Sequence, residues 1–338
     1  MFWIYPVYVV LLCVVVFLSI KLANLVDFLD KKTNISGAFI GGVLLAAVTS
    51  LPELFTSISS VTIVNDPTLV IGDILGSDIF NLMILALYTV IFFKNFKTAK
   101  ISKWHFVSLM ALLLMYGLTA YAVLAPSQYQ PMMGSINAIS IIILAIYVVL
   151  IIKQPKESSE EESEAVDSKL TLKQIIILFI ICSVILIAAS IGITYVTDLI
   201  TEEIPWLGGT AAGAILLGVA TSLPEVISTF HLFKIKNLDA GYGNMIGSCT
   251  FNFLVLSIAD LISWTNWNGE IVADRGIFIS NADSRQLVIF GLVGIASIVG
   301  LLSFKLFSKF YENKKSSLAV AITFALISLT SYLLVFIL

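Results

Sequence analysis

The amino-acid sequence predicts an all-α integral membrane protein, with ten transmembrane helices arranged as two inverted five-helix repeats. Three observations carry this: the composition, ten long apolar runs, and a pair of polar motifs that recurs once in each half. Of 338 residues, 59% are hydrophobic and 12% charged, against roughly 45–50% and about 25% in a soluble domain. Half the usual charge cannot cover a water-facing surface, so most of the surface meets lipid.

A helical crossing needs about 20 predominantly apolar residues. The first run, 5–27, is too long for a signal-peptide core and has no basic stretch before it, so it reads as a permanent span. The second, 36–63, carries the first polar motif, and the third, 68–93, carries its companion. Spans at 104–125 and 134–153 complete an N-terminal repeat over residues 1–153. Residues 154–173 form an acidic linker. The C-terminal repeat, 174–338, holds spans at 174–199, 208–233, 239–264, 286–308 and 316–338. The runs lack the alternation of lipid-facing barrel strands, so helices are expected.

Lysine and arginine set the orientation. Sixteen fall in the loops after spans 1, 3, 5, 7 and 9, and only Arg275 and Arg285 fall in the opposite loops. Lys21 snorkels from span 1. This places both termini outside the plasma membrane and the linker in the cytoplasm. A miscounted span would have scrambled the alternation.

Several features exclude other classes. Cys13, Cys182 and Cys249 are scattered inside spans and read as small apolar fillers, with no disulfide framework or metal pattern. A formal charge of −3 and the lack of a basic, aromatic-laced patch argue against nucleic acid. The linker stretch KESSEEESEAVDSK lacks the glycine and ligand spacing of an EF-hand loop and reads as solvated chain. His105 and His231 sit near span ends, where interfacial placement accounts for them.

The repeat is explicit. Thr49–Glu53 and Thr221–Glu225 both read TSLPE, 172 residues apart, inside the longer motifs 41–81 and 213–252. Gly72–Asn81 (GDILGSDIFN) and Gly243–Asn252 (GNMIGSCTFN) share G-x-x-x-G-S-x-x-F-N, 171 apart. Span 2 runs outward and span 7 inward, because five is odd. Inverted repeats of this kind occur in secondary transporters, with the site at the midplane.

These residue types suit a cation. Pro52 and Pro224 remove a backbone donor, leaving carbonyls near Val48 and Ala220 free, which is tolerable at membrane depth where they line a cavity. Glu53 and Glu225 follow directly, and a carboxylate at that depth marks a functional site. No basic residue shares their depth, so protons or a bound cation must balance them. The hydroxyls of Thr49, Ser50, Thr221 and Ser222 complete an all-oxygen set that suits Ca²⁺ or Na⁺ and lacks the His and Cys of a zinc site. Ser77 shares a helical face with Asn81, and Ser248 with Asn252. Gly72, Gly76, Gly243 and Gly247 permit close helix approach. Asp73 lies one turn before Ser77, where the other half has Asn244.

These motifs resemble the alpha repeats of the cation/calcium exchanger superfamily, close to its prokaryotic sodium/calcium exchanger branch. The match covers about 60 residues of motif. The resemblance implies a secondary antiporter, not an enzyme, exchanging Ca²⁺ for Na⁺ by alternating access, with spans 1 and 6 sliding across the other eight. It implies Glu53 and Glu225 as principal Ca²⁺ ligands, joined in the metal set by Thr49 and Thr221. Sodium sites would draw on Thr49, Ser50, Thr221, Ser222, Ser77 and Ser248, with carbonyls near Ala46 and Gly218. Asn81 and Asn252 complete a central polar quartet. Sodium/calcium exchangers of this type commonly carry Asp where this chain has Asn252, so two charges remain where three are usual. Asp73 and Asp78 are auxiliary candidates for a third, set against a plainer reading as carboxylates near the extracellular mouth.

No cofactor is expected beyond the transported Ca²⁺ and Na⁺, or H⁺. The expected partners are inorganic cations and membrane lipid, and the expected working unit is a monomer. A divalent cation/H⁺ antiporter moving Ca²⁺, Mg²⁺ or Mn²⁺ through the same glutamates is the alternative. Remoter alternatives are a cation channel and an intramembrane aspartyl protease, which Gly72-Asp73 superficially suggests and for which Asp260 would be the second acid.

Overall fold

The computed structural model describes residues 3–32, 45–98, 101–125, 129–133, 136–154, 171–204, 206–236, 238–263, 277–278 and 291–301. Nearly all of them are helical. The first span is α1 (Ile4–Lys32), longer than the apolar run because its polar end stays helical. Lys21 lies along it with its ammonium 5.8 Å from the Phe17 ring centroid, one turn toward the N-terminus, the direction opposite to the snorkelling expected toward the cytoplasmic end of the span.

The second span is broken. It comprises α2 (Leu45–Thr49), a turn at Ser50, α3 (Leu51–Ser59) and a π-helical turn over Ser60–Val64. Ser50 leaves the helical region (φ −92°, ψ 13°) and Pro52 opens α3, where its missing N–H costs least. Asn65 ends the π turn in the left-handed region (φ 60°). Asp66 then accepts from the Thr68 backbone at 2.9 Å and from its hydroxyl at 2.6 Å, capping α4 (Pro67–Ile91).

Next come α5 (Phe93–Thr98) and α6 (Lys103–Leu124), the latter capped by Ser102. The fifth span begins later than the apolar run does. Met132–Met133 (β1) pairs with Ile136–Asn137 (β2), and the Asn137 side chain caps α7 (Ala138–Lys153). The cap fixes the start four residues inside the expected boundary.

The C-terminal half opens with α8 (Leu172–Glu203), started by a Thr171–Gln174 capping box. Its seventh span is α9 (Gly208–Ala212), a π-helical turn over Gly213–Gly218, and α10 (Val219–Lys234), which carries Pro224 in its interior. Then comes α11 (Leu238–Ser263), followed by a described piece of the ninth span, α12 (Gly291–Leu301). Residues 155–170 of the linker, 302–338 including the tenth span, and Lys314 and Lys315 lie outside the described residues.

Lipid exposure follows the hydropathy. Ile176, Ile177, Ile180, Ile181 and Val184 on α8 are exposed and apolar, as a lipid face requires. The buried polar residues instead cluster on α2, α3, α4, α10 and α11. The first and sixth spans pack along each other, with Val15, Leu18 and Leu22 against Cys182, Leu186 and Ala189. The four central elements are closer. A methyl group on Gly72 would strike the Thr210 carbonyl, and one on Gly76 would come 2.5 Å from the Ala214 Cα. The helix-approach role expected of those two glycines is therefore met on the π turn of the seventh span. Gly243 differs, since its nearest neighbour is the His105 ring at 3.1 Å.

His105 itself contacts Asp239 at 3.0 Å, and the same oxygen accepts from the Ser102 backbone at 2.6 Å. This pins the start of α6 to that of α11. Cys13 is exposed, and Cys182 and Cys249 are buried free thiols.

Candidate functional site

Glu53, in the first turn of α3, and Glu225, in mid-α10, are both fully buried. Thr49, Ser50, Thr221, Ser222, Ser77, Ser248, Asn81 and Asn252 are also fully buried. No Lys, Arg or His is among the buried residues described. The structure thus gathers the sequence-predicted oxygen donors into one interior. Of Ala46, the structure places only the backbone in α2.

The donors cross between halves. Ser50 of the first motif donates to Glu225 Oε1 at 3.1 Å and lies 2.5 Å from the Ser248 hydroxyl. Ser248 contacts the same carboxyl oxygen at 3.0 Å. In the other direction, Ser77 donates to the Gly218 carbonyl at 3.1 Å and lies 3.3 Å from the Thr221 hydroxyl. Thr49 lies against Glu225, and Thr221 against Glu53. Gly218 is therefore the carbonyl that faces the site, at the seam of the π turn and α10.

The two glutamates differ in partners. Neither Glu53 oxygen has a hydrogen bond among the described residues, and Glu225 lacks one only at Oε2. Ser222 Oγ, both Asn81 side-chain polar atoms and Asn252 Oδ1 are likewise unpartnered there. A buried polar atom left unmet costs about 1–3 kcal/mol, and more if charged. The charges of Glu225 and Asp73 both act on Glu53. Such a constellation is unstable when bare, and a cation coordinated by carboxyl, hydroxyl and carbonyl oxygens satisfies it.

The auxiliary acids are interior residues. Asp73 and Asp78 are both fully buried within the helix packing. Asp73 Oδ2 is 2.6 Å from the Thr56 hydroxyl, and Oδ1 is 3.4 Å from that of Thr221. Asp78 accepts from the Asn252 amide at 2.9 Å. That bond ties one member of the expected quartet to a neighbouring carboxyl.

Asp260, considered as a second protease acid, is occupied elsewhere. It accepts from Ser140 at 2.6 Å and from the Ile277 backbone at 3.1 Å, holding α7 and residue 277 to α11.

Sequence reasoning passed over three residues. Thr56 holds Asp73, and Ser228 receives the Asn244 amide at 2.9 Å. These two are 172 apart, so extending TSLPE by three residues in each copy would have found them. Tyr8 of α1 donates to the Leu216 carbonyl at 2.6 Å, linking the first span to the π turn. No repeat announces that contact.

Comparisons place this architecture. A family model described as "Sodium/calcium exchanger protein" matches residues 3–154 and 174–338. A search of curated proteins gives no match. Among solved structures, native YfkE aligns with TM-score 0.59 at 15% identity, covering 98% of this chain and 92% of its own. The sodium-calcium exchanger NCX_Mj aligns with TM-score 0.56 at 17% identity, covering 97% and 98%. The H⁺/Ca²⁺ exchanger CAX aligns with TM-score 0.59 at 12% identity, covering 97% and 88%.

Proposed function

The chain belongs to the sodium/calcium exchanger protein family, and on that premise we propose that it exchanges Ca²⁺ for Na⁺ by alternating access. Membership makes it a membrane cation antiporter. The finer reading rests on one observation: Glu53 and Glu225 are buried, unneutralised by any described base, and flanked by hydroxyls from the opposite half. A divalent ion in a low-dielectric interior is held by two carboxylates with neutral oxygens around them. When it leaves, monovalent ions must replace its charge before the site can cross empty of Ca²⁺.

The first and sixth spans form the natural moving pair. They pack chiefly on each other, and Tyr8 connects them to the π turn beside Thr221. Sliding this pair would expose the site first to one face and then to the other. The proposed frame is residues 1–153 and 174–338 as the two halves, with the linker 154–173 cytoplasmic and both termini outside.

A divalent cation/H⁺ exchange through the same glutamates is the second reading. It is favoured by the amides Asn81 and Asn252, which leave two carboxyls at the symmetric positions, and by the likeness to CAX. Proteoliposomes separate the two. An outward Na⁺ gradient at clamped pH is expected to drive Ca²⁺ uptake; uptake driven only by a pH gradient replaces the first reading with the second. Orientation is tested in a background without Cys13, Cys182 and Cys249. A cysteine at Glu202 is expected to label from outside and one at Lys94 from inside, and the reverse pattern rejects the assigned topology.

A further inference from the structure

Asp78 reaches across the halves to a member of the expected quartet, and it does so through an amide nitrogen. On α4 it accepts from Asn252 Nδ2 of α11 at 2.9 Å, and both residues are fully buried. Asn252 Oδ1, the other end of that amide, has no hydrogen bond among the described residues. A primary amide is a donor at one end and an acceptor at the other. The bond to Asp78 therefore decides which end is left to point elsewhere. Asn252 stands one helical turn after Ser248 on the same face, and Ser248 contacts Glu225 Oε1 at 3.0 Å. The free acceptor belongs to the face of α11 that lines the site.

The repeat supplies a contrast. The residue equivalent to Asp78 is Cys249, 171 positions on, and its thiol meets the Asp78 backbone carbonyl at 3.9 Å. Asn81, the mate of Asn252, has no hydrogen bond at either end of its amide among the described residues. One asparagine is held by a carboxyl, and the other is not. Asp78 is itself enclosed. The Tyr116 hydroxyl of α6 lies against its carboxyl, and the Tyr116 ring stands edge-on to Phe253 with centroids 4.9 Å apart. Gly294 of α12 leaves room for that ring, since a methyl group there would strike it.

We propose that Asp78 is a positioning residue for cation binding: by accepting from Asn252 Nδ2 it fixes the Asn252 amide with Oδ1 toward the site. The oxygen is then presented as a ligand, and the NH₂ group, whose partial positive charge opposes a cation, is turned away. This rests on the antiport reading above and adds to it a residue that acts on the ion only through another. The orientation of a metal ligand is commonly set by the partner at its far end, and losing such a partner costs about 10–100-fold in metal affinity. An amide free to turn would spend part of its time with nitrogen inward.

Equilibrium Ca²⁺ titration of the purified full chain in detergent tests this, with unfolding midpoints measured alongside. Asp78→Asn keeps the shape, but its amide offers either a donor or an acceptor, so Asn252 is no longer forced. It is expected to weaken Ca²⁺ binding about tenfold or more. Removing a nearby charge or loosening the fold would also weaken binding, so the deciding readout is the dependence on residue 252. In an Asn252→Ala background no amide remains to orient, and Asp78→Asn is expected to cost no more than about twofold, the scatter of independent sites. In an Asn252→Asp background either side-chain oxygen is an acceptor, and Asp78→Asn is expected to hold or raise the affinity. The same loss in all three backgrounds overturns the orienting role, as does wild-type affinity in Asp78→Asn alone. A wild type without any Ca²⁺ response defeats the calcium reading itself, and the orienting role falls with it. If Asp78→Asn alone does not fold, the Asn252→Asp comparison decides: a loss of about tenfold there overturns the proposal.

Discussion

Thr56 with Asp73 in the N-terminal half, and Ser228 with Asn244 in the C-terminal half, make one hydrogen bond in two chemistries. In the first the hydroxyl donates to a carboxyl, and in the second an amide donates to the hydroxyl. The glutamates diverge in the same way. Glu225 is held by Ser50 and Ser248 on an unbroken helix, whereas Glu53 follows a break at Ser50 and has no hydrogen bond among the described residues. Duplication preserved where the polar atoms sit. It did not preserve how many charges each half carries or which carboxyl is already restrained. The half with the extra acid is also the half whose glutamate is free to take a ligand.

The strongest way to break this comparison is to remove each glutamate's charge. Glu53→Gln and Glu225→Gln are both expected to nearly abolish Ca²⁺ exchange in proteoliposomes. Losing one charge from a buried ionic site costs about 3–5 kcal/mol, on the order of a hundredfold or more in affinity at 1.4 kcal/mol per decade. Wild-type rates in either variant would remove the glutamates from the site.

A smaller effect sharpens the asymmetry. Ser50 contacts Glu225, but its repeat mate Ser222 has no partner for its hydroxyl among the described residues. Ser50→Ala is therefore expected to lower Ca²⁺ affinity by about 1.5–3 kcal/mol, the range for hydrogen bonds to charged groups. Ser222→Ala is expected to cost distinctly less. Equal losses in an equilibrium Ca²⁺ titration would mean that the two halves hold calcium alike.

The smallest effect concerns packing. Gly72→Ala drives a methyl into the fixed Thr210 carbonyl and is expected to cost about 1–3 kcal/mol. That outweighs the gain of up to about 1 kcal/mol from alanine's helix propensity. At the equivalent Gly243, the added methyl meets only the His105 ring, which can shift, so Gly243→Ala is expected to be near neutral. Midpoints of thermal unfolding in detergent decide it. A Gly243→Ala protein as unstable as Gly72→Ala would show that both halves pack equally tightly.

Much of the site was legible because it is written twice. TSLPE and G-x-x-x-G-S-x-x-F-N each combine breakers, hydroxyls and acids that an apolar span has no other reason to hold, and the structure buries those acids and hydroxyls together. Thr56 and Ser228 escaped because threonine and serine substitute for one another, so their repetition is chemical rather than literal. Asp73 and Asp78 could not be assigned a depth from the chain alone, since a carboxyl early in a span suits either a mouth or an interior.

Hydropathy, span order and the presence of two intramembrane glutamates are properties of local sequence, because the cost of exposing a charge or an apolar surface depends on residue type alone. Which oxygens meet depends on how far each helix is rotated and how closely it approaches its neighbour. Gly72 and Gly76 let α4 close onto the π turn at Gly213–Gly218, and that approach brings Ser77 to the Gly218 carbonyl and Asp73 to Thr221. It also leaves Glu53 without a partner. Hydrogen bonds form or fail over fractions of an ångström, and only the packed helices set distances that finely.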